Sequence, residues 1–265
     1  MTTNLRNAPL IYAIGMVKFP RIPNLERFTD AFHDKVRNDY PLRDEFKVST
    51  LNTNLCPQGL QFTQNENKVW QFTSVDKTWA FILTDQSLCL HTINYQNFLQ
   101  FSERFKKGLS TILNIPDIGL DWITALGIRY VNLIKTESNK KLSDYIHPWA
   151  LPPEPPQRSL TTLEGAYVTR YKTSEGELRL QALLNPEATL PPELQSSLIV
   201  KNGWIEDRPE NSFAIIDIDH SITFAPPEKA TLLQALETLS NLQKTSKVIF
   251  ESIGTKLSHT LWDKT

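Results

Sequence analysis

The sequence predicts an α+β protein of two lobes, each a mainly antiparallel sheet packed against a long amphipathic helix. Two observations carry this expectation. The stretch from His147 to Pro156 contains Pro148, Pro152, Pro153, Pro155 and Pro156, and prolines at that density exclude a helix or a central strand. On either side of it the chain follows the same plan of short strands first and a long helix last. The expected organisation is an N-terminal lobe over residues 1–147, a proline-rich connector over 148–156, and a C-terminal lobe over 157–265 that ends in a long helix.

The elements follow from local patterning. Pro9 to Phe19 is an almost unbroken apolar run of strand formers, as expected of a central strand covered on both faces. After Pro20 and Pro23, Asn24 is a candidate N-cap for a helix carrying Leu25, Phe28, Phe32, Val36 and Tyr40 at helical spacing. Phe46 to Ile93 reads as strands. Within it Val69–Ser74, Trp79–Leu83 and Leu88–Ile93 are separated by short polar turns, the signature of an antiparallel meander. Tyr95–Leu113 has helical period, with Phe98, Phe101, Phe105, Leu109 and Ile112 on one stripe. Ala125–Lys135 is a further strand.

Beyond the connector, Leu163–Lys172 and Glu177–Leu184 flank Thr173-Ser174-Glu175-Gly176, a hairpin signal. A second proline-rich loop runs from Asn185 to Pro192. Phe213–Asp219 and Ser221–Ala225 are strand-like, and Pro226-Pro227 closes them. Leu232 to Leu261 is then periodic over about thirty residues, with a kink expected near Lys244–Ser246. The halves share an order of elements but no residue-level repeat.

Composition narrows the function classes. The 265 residues are 40% hydrophobic and 22% charged, and 28 basic against 29 acidic side chains leave a net charge of −1. That balance suits a soluble globular protein and lacks the basic excess that phosphate neutralisation favours, so nucleic acid is not an expected partner. No apolar run approaches the ~20 residues of a membrane span, and the first residues lack the pattern of a secretory signal. Cys56 and Cys89 sit in apolar, strand-like sequence and match no zinc spacing, which fits buried thiols in a reducing cytoplasm.

Three groups could carry chemistry. Asp217-Ile218-Asp219-His220 ends a strand; alternation puts both carboxylates on one face and His220 on the other. Two acids and an imidazole can hold a divalent ion or share a proton; the structural alternative is acids paired with arginine. Arg129, inside an apolar strand, must find acceptors because an unpaired buried charge is costly. It either binds an anionic ligand or pairs with Asp217 or Asp219 across the halves, the latter being favoured. Trp70, Phe72, Trp79 and Phe81 alternate along neighbouring strands, and with only Lys68 and Lys77 beside them they read as core rather than as a base-stacking platform.

The other histidines, His33, His91, His147 and His259, are isolated. Nine glycines and the lack of G-x-S-x-G, P-loop, dinucleotide or C-x-x-C motifs leave no catalytic signature. No catalytic residue, metal site or cofactor is expected.

Asn7-Ala8-Pro9-Leu10-Ile11 with Phe19-Pro20, then Leu126-Gly127-Ile128-Arg129-Tyr130-Val131-Asn132, then Asp217-Ile218-Asp219-His220 before a long helix, occur in this order over nearly the full chain. This ordered set resembles an uncharacterised, sporadically distributed family of prokaryotic proteins. Tyr12 departs from it, standing where an acidic residue is expected. The resemblance implies a cytosolic protein of the bacterial accessory genome, of antitoxin, immunity or defence-accessory type, and offers no catalytic residues to transfer. The expected function is therefore non-enzymatic: binding of a partner protein through the interlobe groove or a sheet edge. Arg129, Asp217, Asp219 and His220 are the ligand or partner candidates. The alternative is a small anionic-ligand sensor or metal-assisted enzyme using the interlobe cleft.

Overall fold

A computed structural model describes residues 8–56, 59–155, 157, 159–191, 194, 208–229 and 231–263, without the side chains of 49–66. Asn7, Pro156, Pro192 and the Cys56 thiol lie outside the described part. The protein is mixed α/β with a large antiparallel sheet and several helices. In chain order the strands are β1 (Leu10–Lys18), β2 (Leu42–Cys56), β3 (Gly59–Thr73), β4 (Trp79–Thr84), β5 (Ser87–Thr92), β6 (Trp122–Lys135), β7 (Gly165–Lys172), β8 (Glu177–Leu184) and β9 (Phe213–Lys229). The helices are α1 (Glu26–Val36), α2 (Phe98–Leu113), α3 (Leu142–Tyr145), α4 (Leu232–Ile253) and α5 (Lys256–Asp263).

The nine strands among the described residues form one sheet in the order β2-β3-β4-β5-β1-β6-β9-β8-β7, and every neighbouring pair is antiparallel. This corrects the expectation of one sheet per lobe. β9 lies beside β6, pairing residue by residue from Ala125↔Thr223 to Lys135↔Phe213. The ladder thus runs straight across the boundary that the prolines suggested. The connector instead makes a short 3₁₀ turn, Pro148–Ala150.

Strand alternation sorts the sheet into two faces. On one face Ala13, Val17, Trp70, Phe72, Trp79, Phe81, Leu88, Leu90, Leu126, Ile128 and Tyr130 pack with Phe32 and Val36 of α1, Phe101, Phe105 and Leu109 of α2, and Leu239 and Leu242 of α4. The same face continues through Ile134, Leu178, Leu180, Ala182, Ala214, Ile216 and Ile218 to Leu142 and Tyr145 of α3, Ile253 of α4 and Trp262 of α5. The opposite face holds a smaller cluster of Tyr12, Ala80, Val131, Leu133, Leu183, Phe213 and Ile215, closed by Leu190 and Leu194. α2 lies so close to the sheet that a Cβ on Gly108 would stand 2.3 Å from the Phe81 ring.

Several boundaries differ from the sequence pattern, each for a local reason. Asn24 does not cap α1 through its side chain; it takes a left-handed φ of 52° in a turn where Arg27 N–H bonds its carbonyl at 3.0 Å. Asn97 caps α2, its side chain accepting from Gln100 N–H at 2.9 Å. β9 passes through Pro226 and Pro227 because they fall in a bulge: the register jumps from Ala125↔Thr223 to Ile123↔Glu228, and residues inside a bulge need not donate to the ladder. The long C-terminal helix breaks at Gly254 rather than near Lys244–Ser246. There Thr255 N–H turns away to the Tyr145 carbonyl at 3.0 Å, and His147 N–H bonds the Ile253 carbonyl at 2.8 Å.

Candidate functional site

The central strands β6, β9 and β8 gather the polar candidates onto the face opposite the helices. Register puts Arg129 opposite Asp219 and Val131 opposite Asp217. On the other side of β9, Arg179 lies opposite Asp219 and Gln181 opposite Asp217. Arg129 reaches diagonally to Asp217 in a two-pronged contact, Nε to Oδ1 at 2.8 Å and Nη2 to Oδ2 at 2.6 Å. Asp217 is fully buried and Arg129 only 13% exposed. Arg179 Nη1 stands 3.6 Å from the same Asp217 Oδ2, and its Nη2 bonds Gln181 Oε1.

Parallel N–H···O bonds from guanidinium to carboxylate are the strongest ion-pair geometry available to a protein, and they hold Arg129 in place. Of the two outcomes expected for Arg129, the structure therefore shows the ion pair, with Asp217 as its partner. Asp219 sits between the two arginine positions; burial raises its carboxyl above the usual range and Asp217 adds to this, while Arg129 and Arg179 pull it back down.

His220 does not join this group. Its ring lies on the helix-bearing face, between Thr173 Oγ1 at 2.8 Å and the Leu242 carbonyl of α4 at 2.9 Å. A carbonyl only accepts, so Nδ1 carries the proton and donates to Leu242. Nε2 then accepts from the Thr173 hydroxyl, whose oxygen in turn accepts from Gly176 N–H at 2.9 Å. Burial lowers the His220 pKa, in keeping with a neutral ring that ties the β7–β8 turn to α4. The Asp217, Asp219 and His220 side chains therefore do not converge. No cluster of three or more His, Cys, Asp or Glu able to hold a metal ion occurs among the described residues.

The remaining candidates are structural in their contacts. Trp70, Phe72, Trp79 and Phe81 are buried, and the Arg104 guanidinium stacks over Trp79 at 4.6 Å from the ring centre. His33 Nε2 donates to the Tyr40 carbonyl at 3.2 Å and His259 Nε2 to the Glu251 carbonyl at 2.9 Å. His91 is buried against Tyr12, whose hydroxyl is 2.8 Å from Nδ1, and burial lowers its pKa to about 3. Burial also pushes the Cys89 thiol up to about 11, far from a reactive thiolate.

Two surface cavities, of about 230 Å³ between α1 and the end of α2 and about 210 Å³ between Arg21, Glu26, Lys68 and Asp85, lie in the N-terminal half. Arg179 and Gln181 were not among the sequence candidates. Their signal was present as two polar residues, two apart, in the otherwise apolar run Leu178-Arg179-Leu180-Gln181-Ala182-Leu183.

Comparison with protein-family models, with curated proteins and with solved structures gives no match. No helix among the described residues is long and apolar enough to cross a membrane.

Proposed function

We propose that the protein is a non-enzymatic interaction module that binds a partner protein through a free edge of its sheet. The observation that carries this reading is the β2–β3 ribbon. β3 pairs with β4 only over Trp70–Thr73, yet its pairing with β2 continues from Phe46↔Val69 to Cys56↔Gly59, with no third strand among the described residues. At about 3.4 Å per residue this arm extends on the order of 30 Å along its strands. A two-stranded ribbon is marginal alone, and its unpaired backbone is a template for an added strand.

The halves of the chain read as two lobes of a single sheet, each with its own helix-side cluster. Between them lies the hydrogen-bonded β6–β9 ladder and not a groove, which moves the proposed contact from the interlobe groove to the edge. The ligand-sensing or metal-assisted alternative finds less support, since Asp217 engages Arg129 and His220 faces away. The family resemblance adds the biological version: a cytoplasmic bacterial accessory protein of antitoxin, immunity or defence type.

The test is affinity purification from the native host with two baits. One is the full chain; the other joins Val48 to Asn67, a facing pair of the ribbon, through an Asn-Gly turn, the two-residue loop favoured in hairpins. A stoichiometric partner present with the first bait and lost with the second is expected. Its absence from the first bait, or its retention by the folded short-ribbon variant, would sink the proposal.

A further inference from the structure

At the far end of the sheet, β7 is the other edge, and its chemistry is self-complementary. Thr173 N–H bonds the Gly176 carbonyl at 2.9 Å, which sets the phase of the β7–β8 ladder. Antiparallel pairs alternate between bonded and non-bonded, so Tyr171, Thr169 and Tyr167 bond to β8. Ala166, Val168, Arg170 and Lys172 turn their N–H and C=O groups outward. No described residue pairs with that edge. The side chains of these same four residues are exposed, and Val168, at the middle, leaves 49% of its surface open.

We propose that β7 docks on β7 of a second copy of this chain, antiparallel about a two-fold axis at Val168, to make one continuous sheet across the dimer. The outward phase fits, because a two-fold at Val168 brings outward-facing residues of one copy opposite outward-facing residues of the other. Val168 meets its own copy, an apolar contact at the centre, and Ala166 meets Arg170. Glu164, just before the strand, falls opposite Lys172 of the other copy, so each end of the interface carries an opposite-charge pair. A two-fold centred on Arg170 would instead place two guanidiniums face to face, which is unfavourable. A two-fold interface must match itself, and this register does so in backbone phase, apolar contact and charge. The inference is independent of the ribbon proposal, because β2 and β7 are opposite ends of the sheet and either can fail alone.

Sedimentation equilibrium of the full chain tests it, with five samples. The wild type is expected to dimerise with concentration. Glu164→Lys brings Lys against Lys at both ends and Lys172→Glu brings Glu against Glu, so each alone should weaken the dimer about tenfold. An equimolar mixture of the two restores both opposite-charge pairs and should recover wild-type affinity, which no other register explains. Val168→Pro removes an outward N–H without touching the β8 ladder, and it should be monomeric with an unchanged circular dichroism spectrum. A wild type that stays monomeric up to near-millimolar concentration overturns the proposal, even if another protein occupies this edge. So does a dimer insensitive to Val168→Pro, or a mixture no tighter than either single variant.

Discussion

Arg129 and Asp217 show how a residue alarming in the sequence becomes ordinary in the structure. Each is costly to bury alone, and the two-pronged contact between them offsets that cost. Asp217→Ala would leave the Arg129 guanidinium buried with its main acceptor gone. We expect a loss of about 3 kcal/mol in urea unfolding, and a smaller loss for Arg129→Met combined with Asp217→Leu, which removes both charges. An Asp217→Ala protein as stable as wild type would show that the pair does not matter to folding.

Burial of His91 makes the stability of the fold depend on pH. Its folded pKa of about 3 lies below the unfolded value of about 6.5. The unfolded state therefore binds the proton first as pH falls. Stability is fully present above the unfolded pKa and declines below it, by about 2 kcal/mol at pH about 5. His220, also lowered, adds in the same direction. The pH dependence of unfolding between neutral and pH about 5 should flatten in His91→Leu. Unchanged steepness would mean that the ring is not neutral and buried as described.

Among the elements, α2 depends on a glycine that its helical pattern would not demand. Alanine is the better helix former by about 1 kcal/mol, yet a Cβ at Gly108 meets the Phe81 ring at 2.3 Å, on a side chain that is itself fully buried. Overpacking of this kind costs about 1–3 kcal/mol. Gly108→Ala should therefore lower the unfolding midpoint in spite of the propensity gain, and a stabilised variant would show that α2 can lift off the sheet freely. The break between α4 and α5 has the same character. Gly254 is close to Trp262 and His259, with 2.8 Å from its would-be Cβ to Trp262. Gly254 N–H makes the last bond along the helix, to the Phe250 carbonyl, after which Thr255 N–H turns to Tyr145 and the Ile253 carbonyl accepts from His147.

At the scale of the whole molecule, the β6–β9 ladder joins the two halves of the chain, and α4 spans both helix-side clusters, with Leu239 and Leu242 in one and Ile253 in the other. A molecule so joined should unfold in one cooperative transition, with calorimetric and van't Hoff enthalpies equal. Two separable transitions, one for each half of the chain, would show that the halves are thermodynamically independent despite the shared sheet.

What depends on near neighbours in the chain was legible before any folding was known. Apolar periodicity marked β1, the β3–β5 meander, α2, β6 and the β7–β8 hairpin, because alternation and helical spacing are local geometry. An arginine in an apolar strand and acids at alternate positions were enough to mark Arg129, Asp217 and Asp219 as needing partners. Who those partners are depends on how the strands are ordered in the folded sheet. Strand order is a long-range choice that no local pattern encodes, so one sheet in place of two, Arg179 and Gln181 beside Asp217, and His220 bound beneath α4 emerge only when β9 lies between β6 and β8. The prolines misled for the same reason. They prohibit a helix through the connector, but they place no limit on where the chain goes next, and it returns to pair with the strand it had left.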